Sequence, residues 1–140
     1  FIASITANIT TSLTIAELRG KVHGFNDLYN ARVGSVPRSE GFHFLTNHGI
    51  SVIPLQEVQE GLQGLADKKI DAFVLNEQIL TYLVKNEFPG RVQVLPETFD
   101  EYFVSMALQH KSSLRKPINT ALLKYMKTPQ WTELRNRYIQ

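Results

Sequence analysis

Apolar residues follow two different spacings along this chain, and each spacing predicts a different secondary structure. In residues 55–67 the apolar positions recur every three or four residues, which predicts an amphipathic helix. Residues 70–75 are nearly all apolar, which is typical of a strand covered on both faces. The pattern therefore alternates between helix and strand through the middle of the chain.

Capping and turn residues mark further elements on either side of these two. Ser39 and Glu40 begin a helix that ends before Gly49, because Gly favours the left-handed conformation that closes helices. Further strands are predicted at 31–37, 50–54, 91–95 and 102–108, and further helices at 77–86, 113–126 and from Pro129 onwards.

The order of these elements indicates the fold class. Strands that alternate with helices of about 10–15 residues predict an α/β fold with a mostly parallel sheet flanked by helices. The helix at 113–126 is expected to turn Leu114, Ile118, Ala121, Leu122 and Tyr125 inward.

The first 18 residues leave two alternatives open. Ile2, Ile5, Ile9 and Leu13 have the spacing of one helix face, and small residues with Ser and Thr are typical of packed membrane helices. The many β-branched residues equally suit a strand. The chain begins within an apolar stretch, so we expect that an upstream part is missing.

Composition excludes several classes of function. The 140 residues suit one compact domain, and the net charge of +2 is too small and too evenly spread for a nucleic-acid protein. No cysteine is present, which excludes disulfides and thiolate metal sites. No stretch reaches the ~18 apolar residues that a membrane-spanning helix needs.

No catalytic or metal-binding pattern emerges from the polar residues. The four histidines are scattered without a metal-ligand spacing, and no serine lies in a nucleophile-elbow motif. Asp100 and Glu101 are adjacent carboxylates beside a predicted strand, and adjacent residues of a strand point to opposite faces, so they form no acid–base pair. We expect a protein without a metal or other cofactor that is not an enzyme.

Two places where a strand leads into a helix have the chemistry of a ligand site. Residues 34–41 join a strand to a helix N-terminus, where free N–H groups and a partial positive charge favour an anion. Asn76 and Glu77 follow the next buried strand. In open α/β sheets ligands bind outside the carboxyl ends of strands. A capped helix beside a plain turn would give the same pattern.

Three stretches resemble ionotropic glutamate receptors and the solute-binding proteins related to them. Residues 4–14, SITANITTSLT, are similar to the S-Y-T-A-N…L-T motif at the end of the third membrane segment of these receptors. Residues 33–40, VGSVPRSE, resemble the V-G-T-V-x-G-S-T loop of their ligand-binding domains. Residues 71–76, DAFVLN, resemble the D-A-V-V-Y-D strand end. The lack of the cysteine pair of animal receptors favours a bacterial type.

The resemblance implies a periplasmic-binding-protein type II core, in which two lobes close around a ligand. This chain would correspond to the segment after the pore (S2-like). Residues 1–24 would be the end of the pore helix and a linker, 25–98 would form lobe 2, and 99–140 would return to lobe 1 with its C-terminal helices.

The resemblance also assigns candidate ligand-binding residues. Ser39 matches the loop serine whose hydroxyl and N–H hold a ligand carboxylate. Arg38 stands where Gly is common, and it could pair with Glu40 or bind the ligand anion itself. Glu40 replaces a Thr and would repel an anion. Asn76 stands where an acidic residue usually binds the ligand's amino group, and Glu77 lies next to it.

Two binding functions and one enzymatic function follow from this resemblance. The first is the ligand-binding half-domain of a glutamate-receptor-like channel, which binds a small amino acid or carboxylate on the periplasmic or extracellular side of the cell membrane. The second is the solute-binding protein of an amino-acid ABC transporter. An enzyme on the same fold is the third. Without the rest of lobe 1, apolar surface on the helices of Trp131 and Tyr138 is expected to drive dimerisation, and a complete channel would be a tetramer.

Overall fold

The computed structural model describes residues 2–16 and 21–139, and their side chains within 21–101 and 105–138. The strands in these ranges are β1 (Ile2–Ala16), β2 (Val33–Ser35), β3 (Val52–Pro54), β4 (Ala72–Asn76) and β5 (Val92–Ala107). The α-helices are α1 (Glu40–Asn47), α2 (Val58–Ala66), α3 (Glu77–Glu87), α4 (Arg115–Tyr125) and α5 (Pro129–Ile139), and a 3-10 helix spans Phe25–Asn30.

The five strands form one sheet in the order β3-β2-β4-β1-β5. β2 pairs in parallel with both β3 and β4, and Gly34 lies opposite Ile53 on one side and Phe73 on the other. β1 runs antiparallel to β4, with Thr11 opposite Asn76. A parallel centre flanked by helices is the architecture that the sequence predicts.

The chain divides into two compact units. The larger unit spans Thr10–Asp100, and the smaller unit combines Phe1–Ile9 with Glu101–Gln140. β1 and β5 both contain a boundary between the units, at Ile9/Thr10 and Asp100/Glu101. The residues that the sequence singles out as a ligand site all belong to the larger unit.

Alternation along β4 builds the core of the larger unit. Ala72 and Val74 pack into one apolar cluster with Val33 and Leu45. Phe73 belongs to a second cluster, together with Leu75, Leu62, Leu65 and Leu80. Successive residues of a strand point to opposite faces, so β4 is covered on both sides, as its continuous apolar run predicts.

A glycine lets α2 approach the sheet closely. A Cβ added to Gly61 would lie 2.6 Å from Cδ2 of Phe73, and still nearer to two other ring carbons. The ring of Phe73 is fully buried and occupies the space that a side chain at residue 61 would need. The backbone of α2 therefore packs directly on an aromatic ring of the central strand.

The helical alternative for the first residues is wrong. Ile2–Ala16 forms the strand β1, and residues 11–14 pair with residues 73–76 of β4. β-branched residues fit an extended backbone better than a helix, and the unpaired edge of β4 supplies a partner. In the described residues, none of the helices has the length and apolarity needed to cross a membrane.

Two further expectations differ from the structure in the region after residue 90. The strands predicted at 91–95 and 102–108 are one strand, β5, in which Asp100 has a left-handed φ of 59°. The expected inward face of α4 is only partly present: Ile118 and Leu122 are half-buried, but Leu114, Ala121 and Tyr125 are exposed. The spacing of apolar residues predicts a helix, but it does not show whether another part of the protein packs against the apolar face.

Candidate functional site

The loop between β2 and α1 forms the first part of the candidate site. The Oγ of Ser39 accepts a hydrogen bond from the N–H of Phe42 at 3.1 Å, which makes Ser39 the N-cap of α1. The N–H of Ser39 donates to the carbonyl of Val36 at 3.1 Å. Both polar groups to which the sequence assigns ligand contacts therefore have partners, one in the loop and one in the first turn of α1.

Two backbone groups at the start of α1 have no partner in the part of the chain that the structure describes. His43 makes the first intrahelical hydrogen bond, to the carbonyl of Ser39 at 3.1 Å, and Phe42 is capped. The N–H groups of Glu40 and Gly41 have no acceptor among the described residues. They are the pair of donors that a helix N-terminus offers to an anion.

Ser35 is a part of the site that the sequence analysis missed. Its side chain is fully buried, donates to the carbonyl of Val74 on β4 at 2.7 Å, and lies 3.2 Å from the Oγ of Ser39. Burying a hydroxyl is unfavourable unless it is hydrogen-bonded, so these contacts are required. The available signal was a polar residue at the end of an otherwise apolar strand.

Arg38 and Glu40 are the charged residues of the loop, and both are exposed. Arg38 has a φ of 66°, in the left-handed region that L-residues other than Asn and Asp rarely adopt. Among the described residues no ion pair joins Arg38 to Glu40. The alternative in which Arg38 neutralises Glu40 is therefore not realised here, and both charges face solvent.

Asn76 and Glu77 form the second part of the candidate site, at the end of β4. The Oδ1 of Asn76 accepts from the N–H of Ile79 at 3.1 Å and caps α3, and Glu77 lies in the first turn of that helix. Both side chains are half-buried. Asn76 also lies opposite Thr11 of β1, which brings a third strand to this edge.

Strand pairing places the two parts of the site on one edge of the sheet. β2 and β4 are parallel neighbours, so their carboxyl ends, and the helices that begin there, lie side by side. The Ser35 hydroxyl links the two strand ends directly through Val74. All five residues predicted from sequence, Ser39, Arg38, Glu40, Asn76 and Glu77, follow these two strand ends.

An ion pair stabilises the opposite edge of the same two strands. Arg32 donates through Nε to Oδ2 of Asp71 at 3.0 Å and through an NH2 group to Oδ1 at 2.9 Å, and its backbone N–H also reaches Oδ2. The side-chain hydrogen bonds from Arg32 lower the pKa of Asp71 from 3.8 to about 2. This pair joins the start of β2 to the start of β4 and has a structural role.

A metal site is not supported by the side chains that surround this edge. In the described ranges no three His, Asp or Glu side chains are grouped so that they could hold a metal ion. The chemistry that the edge does provide is hydrogen-bond donation from backbone, a guanidinium and an amide, together with two carboxylates.

Comparison with known proteins identifies the fold. No protein-family model and no curated protein matches the chain. Among solved structures, the GluR0 ligand-binding core from Nostoc punctiforme, in complex with L-glutamate, is similar at 27% sequence identity with a TM-score of 0.76, over 96% of this chain and 69% of its own. A GluR0 ligand-binding core with L-glutamate has a TM-score of 0.85 at 17% identity, over 99% of this chain and 64% of its own.

A transporter-type domain is similar as well. A substrate-binding domain assigned to an amino acid ABC transporter of Streptococcus pneumoniae matches at 15% identity with a TM-score of 0.75, over 100% of this chain and 65% of its own. The chain thus spans about two thirds of the length of these structures. It has the lobe fold of periplasmic binding proteins of type II, which confirms the predicted fold class.

Proposed function

We propose that this chain is the ligand-binding half-domain of a glutamate-receptor-like core and binds a small amino acid or carboxylate at the edge formed by β2 and β4. The similarity to the GluR0 core with L-glutamate, which extends over 96% of this chain, carries the proposal. The two capped helices that begin at neighbouring strand ends support it, because the N-terminus of α1 offers N–H donors to an anion and the start of α3 places the Glu77 carboxylate on the same side of the sheet.

The ligand carboxylate is proposed to bind at the N-terminus of α1. It would accept hydrogen bonds from the N–H groups of Glu40 and Gly41, and Ser39 would keep these groups available by capping Phe42 instead. Arg38 is exposed beside them and would add a charge-assisted hydrogen bond. The Glu40 carboxylate repels the same anion, so Arg38 and Glu40 would have opposite effects on the affinity for the ligand carboxylate.

The other end of the ligand is proposed to contact the start of α3. Asn76, whose Oδ1 caps Ile79, is an amide at this position, and the carboxylate of Glu77 supplies a negative charge one residue further on. In this arrangement an ammonium group would be attracted chiefly by Glu77, whereas Asn76 would orient it. We propose binding and not catalysis at this edge.

Nuclear magnetic resonance titration with L-glutamate tests this function directly. We expect the amide signals of Glu40 and Gly41 to shift most. Arg38→Ala should weaken the affinity that these shifts report. Glu40→Gln should strengthen binding by about two- to fivefold, because the ligand carboxylate would no longer be opposed by a carboxylate that itself occupies the helix N-terminus, an interaction of about 0.3–1 kcal/mol. Glu87→Gln, at the far end of α3, is the matched control. No shift at these two amides with any amino acid or dicarboxylate would refute the proposal.

The solute-binding protein of an amino-acid transporter is the second candidate function. It is favoured by the similarity to the transporter-assigned domain, which covers the whole of this chain. Sequencing the complete open reading frame separates the two candidates. Membrane spans with a pore loop between the two halves of the core would establish the channel form, and an uninterrupted core would establish the transporter form.

The organisation of the complete protein is part of the same proposal. Residues 25–98 would form lobe 2, and residues 99–140 would belong to lobe 1, on the periplasmic or extracellular side of the cell membrane. Large apolar side chains are exposed in the smaller unit: Leu114, Leu123, Tyr125, Leu134 and Tyr138. We propose that this surface makes the isolated chain self-associate.

A further inference from the structure

Ser35 has a single proton, and its destination fixes the direction of the hydrogen bonds around it. The carbonyl of Val74 can only accept, so the 2.7 Å contact uses the proton of Ser35. The 3.2 Å contact between the two hydroxyls must then use the proton of Ser39. The chain of donation therefore runs from the Phe42 N–H to Ser39, from Ser39 to Ser35, and from Ser35 to Val74.

From this geometry we infer that Ser35 is a positioning residue for the ligand site, acting through Ser39 on the N-terminus of α1. The inference rests on the proposed function and adds a residue to it. By accepting the Ser39 proton, Ser35 holds the Ser39 oxygen toward the N–H of Phe42. The N–H groups of Glu40 and Gly41 are then the donors left for a ligand carboxylate.

The relay also sets what the ligand can contact. Because the proton of Ser39 is already donated to Ser35, a carboxylate that takes a hydrogen bond from Ser39 must first break a buried contact. Binding through the backbone N–H groups requires no such exchange. Ser35 thus favours carboxylates that approach along the axis of α1 and disfavours recognition through the hydroxyl.

Hydrogen exchange at the Phe42 amide tests this role without a ligand. The measured quantity is the ratio of the amide exchange rate of Phe42 to that of Leu45, which lies deeper in the same helix. In Ser35→Ala this ratio should increase roughly fivefold, because that factor corresponds to the net free energy of one ordinary hydrogen bond. Ser35→Thr keeps the hydroxyl and should restore the wild-type ratio. In a Ser39→Ala background, Ser35→Ala should have no further effect on Phe42, because the relay is already broken.

Titration of the same variants with L-glutamate tests the link to the site. Ser35→Ala should weaken the affinity for L-glutamate, as reported by the Glu40 and Gly41 amides, roughly fivefold. Ser51→Ala, which changes an exposed serine, should leave this affinity unchanged. An unchanged Phe42 ratio in Ser35→Ala, or an additive effect in the double variant, would overturn the inference. A different result is that the Glu40 and Gly41 amides of the wild type do not respond to L-glutamate although the Phe42 exchange ratios change as expected. The hydrogen-bond relay would then exist, but both the proposed ligand and the positioning role of Ser35 toward it would be refuted.

Discussion

At the scale of single residues, the loop between β2 and α1 contains a backbone conformation that its sequence disfavours, at Arg38. Arg38 has a φ of 66°, where a Cβ atom is unfavourable by about 1–2 kcal/mol. Gly, which is common in related loops, would adopt this conformation freely. This backbone strain supports our proposal that the guanidinium of Arg38 binds the ligand anion, because strained residues often lie at functional sites.

Comparing Arg38→Gly with Arg38→Ala isolates this strain, because both variants remove the guanidinium. The Gly variant should have a free energy of unfolding about 1 kcal/mol higher than the Ala variant, measured by urea denaturation. The same pair at Arg135, an exposed position in α5, should give the opposite order by about 1 kcal/mol. Equal stabilities of the two Arg38 variants would show that the left-handed conformation is absent in solution.

Protonation of Asp71 should reduce stability only in acid. The folded-state pKa of Asp71 is about 2, below its usual value of 3.8, so the ion pair with Arg32 contributes fully above about pH 4. Its contribution is then lost as pH falls from 4 toward 2. The difference in unfolding free energy between wild type and Asp71→Asn should therefore be constant at neutral pH and shrink across that window.

At the scale of secondary-structure elements, α2 offers a test of how tightly the helices pack on the sheet. Gly61→Ala would place a Cβ against the buried ring of Phe73, so overpacking should reduce the free energy of unfolding by about 1–3 kcal/mol. At Gly64, one turn away, the nearest atom to an added Cβ is 3.6 Å distant on Ile70. Gly64→Ala should stabilise the protein by up to about 1 kcal/mol, because Ala favours helix.

The free energies of unfolding of Gly61→Ala and Gly64→Ala, measured by thermal or urea denaturation, have to be compared with each other. Both substitutions raise helix propensity equally, so their difference reports the space above each glycine. Stabilisation by both would mean that α2 stands further from β4 than the structure has it.

Elements with strong local signals were predictable from sequence, and elements that depend on distant partners were not. The continuous apolar run of β4, and Ser39 before α1, identify their structures without tertiary information. β1 could not be decided, because helical spacing and β-branched content conflict in the same residues and only pairing with β4 resolves the conflict. Exposure along α4 depends on what covers it, which periodicity does not encode.

The candidate site shows the same division. The helix caps Ser39 and Asn76 were predictable, because a strand followed by a capping residue and a helix is a local pattern. Ser35 was not, because its partner Val74 is 39 residues away in the chain. The left-handed φ of Arg38 was also not predictable, since no glycine or asparagine marks it.

At the scale of the whole molecule, exposed apolar side chains of the smaller unit support the proposed self-association. Leu123 and Leu114 are 59% and 56% exposed, and Tyr125 and Tyr138 are also exposed. Apolar side chains of this size are each stabilised by about 1.5–3 kcal/mol when they become fully buried. Self-association of the isolated chain would cover them, and it requires no ligand.

Leu114→Glu combined with Leu123→Glu should therefore weaken self-association by at least tenfold, since the loss of even one such burial exceeds the ~1.4 kcal/mol that a factor of ten represents. Sedimentation or light scattering across a dilution series measures this. Tyr29→Glu, which adds one negative charge at a 52% exposed site in the larger unit, should leave the association unchanged. If wild type is monomeric at every concentration, the α4 surface is compatible with water by itself. If instead Tyr29→Glu disrupts association as strongly, the contact lies in the larger unit, and the ligand-binding edge has to be tested for occlusion by the second copy.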